Sequence, residues 1–187
     1  MAKFRSTGVV DYASLISTAS VKDHLRVEHT VDDTLIGSLR DAACEWVESY
    51  TTGKISSRIG IAYANAWRPE SLLVYPFTVD SVKYYDTTDT LVTMPTTDYH
   101  VDLVSRPGCI KFTESPDLQD DAFNRIHINL TVGWTATNLP ESVAAAVKLL
   151  VGHWYEHRQA EVVGTITSTL KIGIEALLAP HRIIVAA

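Results

Sequence analysis

The chain has 187 residues, of which 46% are hydrophobic, enough to bury the core of one compact domain. Its 16 Lys and Arg against 22 Asp and Glu give a net charge of −6, which disfavours binding to a nucleic-acid backbone, and no basic run typical of DNA-binding proteins occurs. Two cysteines cannot form a disulfide framework, and neither a signal-peptide core nor an apolar run of about 18 residues is present, so we expect a cytosolic protein that is neither secreted nor membrane-spanning.

The first part of the chain predicts an arm followed by two helices. Residues 1–19 are weakly patterned and are expected to have little structure of their own. Ser20 is a candidate N-cap of a short helix from Val21 to about Val27. Asp32 is a candidate cap of a longer helix from Asp33 to about Thr51. Its apolar residues recur with helical spacing: Leu35, Ile36, Leu39, Ala42, Ala43, Trp46, Val47 and Tyr50.

From about residue 55 the pattern changes from helical to alternating. The clearest strand is Arg125–Val132, in which every second residue is Ile, Leu or Val, as in a half-buried strand. Asp86–Asp89 has the composition of a tight turn, and tight turns between short strands indicate antiparallel pairing. Shorter candidate strands rich in Val, Tyr, Thr or Ile precede it: Ser71–Tyr75, Ser81–Tyr85, Thr90–Met94, Tyr99–Val104 and Cys109–Phe112.

A second long helix is predicted to begin at Pro140, a first-turn position that tolerates proline, and to run to about Arg158. Asn138 is its candidate cap. Its apolar stripe comprises Val143, Val147, Leu150, Val151 and Trp154.

The C-terminal part predicts an extended arm, because Thr165–Thr169 is β-branched and polar. A short helix from about Ile174 to Ala179 is expected to end at Pro180. The apolar residues Ile183–Val185 need cover, either from the chain's own core or from a neighbouring subunit.

These elements predict an α+β fold: a helical bundle of two long helices plus short helices, with an antiparallel β insertion between them and an extended C-terminal arm. The predicted division is an arm of residues 1–19, a core of residues 20–160 and a C-terminal arm of residues 161–187 that contains the short helix. Within the core, helices occupy 20–51 and 140–158, and strands lie between about 55 and 134.

One motif suggests enzymatic chemistry. His153-Trp-Tyr-Glu156-His157 fits the H-x-x-E-H pattern of inverted zinc proteases. Such a site needs a third protein ligand, and the chain after it, with Glu161 and Glu175, is too short for the usual distal-ligand helix. No nucleophile elbow, phosphate-binding glycine loop or calcium loop occurs. We therefore expect no enzyme, and neither catalytic residues nor a metal or cofactor.

Several segments, taken in order, together resemble the head-tail connector proteins of tailed bacteriophages, also called adaptor or head completion proteins. The likeness spans roughly residues 18–182. The segments that carry it are Val21–Val27 with Asp32-Asp33, Leu35–Tyr50, Leu73–Pro76 with Val79–Tyr85, Leu130–Trp134, His153–Arg158 and Leu177–Arg182.

The resemblance implies a structural role in the virion neck, at the head-tail junction, after synthesis in the host bacterial cytoplasm. Copies would form a dodecameric ring that binds the portal protein, extends the DNA channel and meets a stopper or tail-completion protein. DNA would pass through without sequence-specific binding, and no membrane is involved.

Contacts made only on assembly are expected in the C-terminal arm. The candidate interface residues are Thr165, Ile166, Thr167, Thr169, Leu177, Leu178, Arg182, Ile183, Ile184 and Val185. Three alternatives stay open: another neck or tail-completion protein, a ligand- or receptor-binding module that uses Trp67 or Tyr84, and a zinc-dependent hydrolase that uses His153, Glu156 and His157.

Overall fold

The computed structural model describes residues 2–119, 123–157 and 168–183, with the backbone alone for 168–170. Helices and antiparallel sheets both occur, which confirms the α+β class. No helix in these three ranges is long and apolar enough to cross a bilayer.

The helices are α1 (Thr18–Leu25), α2 (Asp33–Thr51), α3 (Glu141–Glu156) and α4 (Ser168–Leu178). The strands are β1 (Lys3–Ser6), β2 (Arg58–Ala64), β3 (Glu70–Leu72), β4 (Phe77–Tyr85), β5 (Leu91–Met94), β6 (Tyr99–Asp102), β7 (Gly108–Phe112) and β8 (Ile126–Val132).

The chain divides into two compact units, each assembled from separate stretches of sequence. The described residues of Met1–Val10, Ser57–Gly133 and Ile183–Ala187 form the strand unit, and those of Asp11–Ser56 and Trp134–Arg182 form the helical unit. The division predicted from the sequence, a core of residues 20–160 between two arms, stays a prediction.

The strand unit is built around a five-stranded antiparallel sheet in the order β1-β2-β8-β4-β5. Strand β8 lies at its centre and pairs with both β2 and β4. The predicted alternation of β8 is confirmed, because Ile126, Ile128, Leu130 and Val132 are all fully buried in one core. A second sheet has the order β3-β7-β6.

Two strands were missed by the sequence patterns. Residues 1–19 do not lack structure, because β1 pairs with β2 along the edge of the sheet. Strand β2 has an inverted pattern, in which the buried positions carry small residues such as Gly60 and Ala62 while Ile59 is 58% exposed. A Cβ at Gly60 would lie 2.5 Å from the Phe4 ring, so the glycine leaves space for that side chain in the core.

In the helical unit, α2 has the predicted bounds, and α3 lies within the predicted range. The two helices contact each other, and α1 contacts both. Each buries one face, as amphipathic helices do. The buried apolar residues are Ile36, Ala43, Cys44 and Val47 on α2, and Val143, Ala146, Val147, Leu150 and Val151 on α3.

Of the three predicted helix caps, Ser20 and Asn138 are wrong, whereas Asp32 occupies the N-cap position of α2 as predicted. Helix α1 begins earlier than expected, because the hydroxyl of Ser17 accepts a hydrogen bond from the backbone N–H of Ser20 at 3.2 Å. Asp32 makes no side-chain hydrogen bond to the first turn of α2, and its carboxylate accepts from the Tyr155 hydroxyl. Asn138 accepts from the backbone N–H of Thr135 at 2.6 Å, one turn before α3. Short polar side chains have several local partners, so sequence alone does not choose among them.

The predicted C-terminal elements also need correction. Helix α4 begins at Ser168, so Thr169 is helical rather than extended, and the helix is longer than the predicted Ile174–Ala179. Ile174 and Leu178 are fully buried one turn apart; packing of such a face outweighs the weak helix propensity of threonine. A 3-10 turn, Ala179–His181, follows. Residues Thr165, Ile166, Thr167, Ile184 and Val185 lie outside the described residues.

Candidate functional site

The H-x-x-E-H motif lies at the end of α3. The rings of His153 and His157 are 4.6 Å apart between centroids, and Nδ1 of His157 lies 3.0 Å from the backbone oxygen of His153. One His ring therefore faces its own helix backbone. Within the described residues, no group of three or more His, Cys, Asp or Glu side chains could hold a metal ion.

The two cysteines occupy different environments and are not bonded to each other. Cys44 is fully buried on α2, and burial raises the pKa of its thiol to about 12. A thiol with such a pKa stays protonated at neutral pH and is a poor nucleophile. Cys109, on β7, is half-buried.

Three aspartates hold turns rather than a ligand. In the β4–β5 turn, the Asp86 carboxylate accepts from the Thr88 hydroxyl at 2.7 Å and from the backbone N–H groups of Thr88 and Thr90. Asp102 and Asp11 accept backbone N–H groups in the same way. Hydrogen bonds to the ionised form lower the pKa of all three carboxyls, that of Asp86 chiefly through the Thr88 hydroxyl.

We expect an NMR titration to place the pKa of Asp86 below 3.8, the ordinary value. Replacing Thr88 by valine removes the largest cause and should raise that pKa, whereas Thr87→Val should leave it unchanged. Because the folded-state pKa is lowered, the turn's contribution to stability is present above pH 3.8 and is lost as pH falls through the folded value. A pKa of 3.8 or more in the unmodified protein would contradict this assignment.

Two buried charged side chains of α2 form hydrogen bonds with neighbouring segments of the helical unit. Arg40 is 6% exposed, and its guanidinium donates to the Thr18 hydroxyl at 3.1 Å and to Asp41 at 2.9 Å. Glu48 is 8% exposed, accepts the backbone N–H of Ile55 at 3.0 Å and pairs with Lys54 at 3.3 Å. These groups satisfy buried backbone and side-chain atoms, which is a structural role.

A surface cavity of about 330 Å³ in the helical unit is lined by residues before α1 and by the start of α3. Its titratable lining groups are Glu141 and Lys148, and neither His nor Cys lines it. Ser14, Ser17 and Ser20 also line it. The Ser14 hydroxyl donates to the backbone oxygen of Asp11 and the Ser17 hydroxyl accepts from the backbone N–H of Ser20, so both have local structural partners.

The C-terminal segment of the helical unit presents the strongest candidate surface. The Arg182 guanidinium lies 5.2 Å from the Tyr50 ring centroid, and His181 lies 2.9 Å from the Ser142 hydroxyl. Of the predicted interface residues, Leu177 is half-buried and Arg182 is exposed, whereas Leu178 is fully buried and Ile183 is 3% exposed. Leu177 and Arg182 are thus the described candidates within reach of a partner.

One exposed residue of the C-terminal segment was not predicted. Ile172, on α4, is 66% exposed, and it lies next to Lys171, which pairs with Glu175 at 3.9 Å. The sequence signal was present, since Ile172 is out of phase with the buried pair Ile174 and Leu178. The sequence pattern predicts a helix only from about Ile174, so Ile172 falls before the predicted helix.

Comparison with known proteins identifies both a family and a fold. The family model for head completion proteins matches residues 14–185. Among solved structures, the chain is similar to proteins in the neck of an empty gene transfer agent particle computed with C6 symmetry (TM-score 0.80, 22% identity, 99% of this chain and 97% of that chain), in the virion of a native gene transfer agent (0.79, 22%, 98% and 97%), and in the neck of the native particle computed with C12 symmetry (0.76, 21%, 99% and 97%). At this identity the likeness shows a shared fold. A comparison with curated proteins finds no match.

Proposed function

This chain belongs to the head completion protein family, and we propose that it is a structural protein of the phage neck whose copies form a ring joining the capsid portal to the tail. The observation that carries the proposal is the family match over residues 14–185. The fold shared along almost the whole chain with proteins of C6 and C12 neck reconstructions supports it. In this proposal the ring is dodecameric, binds the portal protein and a stopper or tail-completion protein, and extends the DNA channel.

The charge of the chain supports a channel role. A net charge of −6 gives DNA little overall attraction, because affinity for DNA comes largely from neutralising its phosphates. DNA would therefore move past the protein without being held in place.

We further propose that the C-terminal surface, which we define as Ile172, Leu177 and Arg182, contacts another neck component. The same proposal includes Thr169, of which the structure describes the backbone, and the candidates outside the described residues: Thr165, Ile166, Thr167, Ile184 and Val185. In this scheme α2 and α3 form the bundle that supports the surface.

The experiment that tests the proposal is electron microscopy of particles from a phage or prophage that lacks only this gene. We expect DNA-filled or leaking heads beside separate, complete tails, and a fall in infectious titre of several orders of magnitude. Supplying the wild-type gene in trans should restore joined virions. Normal infectious virions without the gene would overturn the proposal.

Other outcomes separate the alternatives. Heads that retain DNA and tails with an abnormal upper end would indicate a tail-completion protein instead. Stoichiometric zinc in the purified protein, lost on His153→Ala, would indicate the hydrolase that the H-x-x-E-H motif suggests.

A further inference from the structure

The five-stranded sheet has a second face, which we call the open face. Alternate residues of each strand point away from the core, so β1 contributes Lys3 and Arg5, and β4 contributes Lys83. Ile59, on the same face, is 58% exposed. Antiparallel sheets commonly leave one face in solvent, and here the exposed Ile59 shares that face with the half-buried Tyr63.

Positive charge on the open face comes from Lys3 and Arg5 on β1 and from Lys83 on β4. Burial lowers the pKa of His127, which therefore adds no charge at neutral pH. Lys3, Tyr63, His127 and Lys83 are neighbours in register, on β1, β2, β8 and β4. The His127 ring packs edge to face with Tyr63 at 5.0 Å between centroids. Within the described part of the chain, no ion pair involves Lys3, Arg5 or Lys83.

Asp80, a carboxylate on the open face, does not neutralise the charge of Lys3 and Arg5 on β1. Asp80 lies at the bulge of β4 and accepts from the Thr131 hydroxyl at 2.9 Å. It is three strands away from β1, a separation of about 14 Å at the usual strand spacing.

Three carboxylates lie in or near the β4–β5 turn, at one end of the same sheet, which we call the acidic end: Asp86, Asp89 and Asp117. The backbone N–H of Gln119 donates to the oxygen of Tyr85 at 3.1 Å, which holds this segment beside the β4–β5 turn. Thr87, Asp117 and Arg125 line one cavity of about 440 Å³, where the Arg125 guanidinium donates to the backbone oxygens of Gln119 and Asn65. Asp89 and Asp117 are exposed, and no ion pair of the described residues involves any of the three.

We propose that the acidic end of one copy binds the open face of the next copy, head to tail. Pairing two open faces would oppose Lys3 and Arg5 to their own copies, so a two-fold arrangement is electrostatically unfavourable. Head-to-tail contact brings opposite charges together, and such heterologous interfaces close into rings. The inference rests on the proposed function in that it names the contact that would close the ring.

A charge-reversal experiment tests the pairing. The open-face variant K3E/R5E and the acidic-end variant D89K/D117K should each lower the titre of joined virions at least tenfold when supplied to the gene-deleted phage. The quadruple variant, in which both charges are reversed, should recover to within a few-fold of wild type. The matched control is K111E, an exposed residue of β7 in the other sheet, which should behave as wild type.

Circular dichroism of each purified variant should match wild type, so that a loss reports on association. If the quadruple variant loses as much titre as the double variants, or if neither double variant loses titre, the proposed contact is wrong. The deletion phenotype is measured separately and would still support the neck function. Loss of DNA binding by K3E/R5E with rings intact also overturns it, since the open face would then serve a nucleic acid.

Cross-linking in assembled particles gives an independent readout. In a C109S background, R5C/D117C treated with a short bismaleimide should give a ladder beyond the dimer, whereas R5C alone should give none. Cys44 needs no replacement, because it is fully buried and its thiol pKa is about 12. Dimers from R5C alone would show open faces paired with each other and would overturn the proposal.

Discussion

Replacing Ile128 by alanine is expected to lower the free energy of unfolding by about 4 kcal/mol. Ile128 is fully buried at the middle of β8, where it pairs with Ala62 on one side and Val82 on the other. The substitution leaves a cavity at the one strand that joins both halves of the sheet, and backbone pairing on both sides limits how far the core can collapse into it. Urea denaturation followed by circular dichroism measures the loss.

Two matched variants give the scale of this effect. Ile128→Val removes one methylene and should cost about 1 kcal/mol. His127→Ala, one residue earlier on the open face, should cost less than Ile128→Ala because His127 is only half-buried. If Ile128→Ala lowers the free energy of unfolding no more than His127→Ala does, then β8 does not have the buried face and the open face described above.

Replacing Glu48 by alanine is expected to cost about 3 kcal/mol, the scale for losing a hydrogen bond to a charged group and leaving a buried donor unsatisfied. The lost acceptor serves the backbone N–H of Ile55, a fully buried residue that follows α2. Lys54, whose pKa burial lowers, would also lose the carboxylate 3.3 Å away. The chain leaving α2 should then exchange its amide hydrogens faster.

Glu48→Gln separates the two contributions. Glutamine keeps a carbonyl oxygen for the Ile55 N–H but carries no charge for Lys54, so we expect it to retain more than half of the stability that alanine loses. Hydrogen exchange at the Ile55 amide measures this directly. Equal protection in the alanine and wild-type proteins would contradict the role assigned to Glu48.

Elements with strong periodicity were predictable. Helix α2 has its predicted bounds because apolar residues mark one face along its whole length, and β8 alternates strictly between buried and open positions. Strand β2 could not be predicted this way, because position 60 needs a glycine to leave room for the Phe4 ring. That contact comes from β1, more than fifty residues earlier, and a local pattern does not contain it.

The candidate surfaces were less predictable than the fold. The exposure of Arg182 agrees with its predicted place at an interface, but whether a partner covers it stays a prediction. The open face could not be predicted, since it depends on registering Lys3 with Tyr63 and His127 across three strands. Charges distant in sequence become one patch only when the order of strands is known.

The position of β8 in the sheet also governs how the protein can be made. Both of its neighbours, β2 and β4, leave the ribosome before it does, and each waits with an open edge until Ile126–Val132 has been synthesised. Open strand edges pair readily with other chains. A nascent chain stalled or cleaved before residue 126 would therefore seed aggregates, and chaperone supply during translation should set the yield of soluble protein.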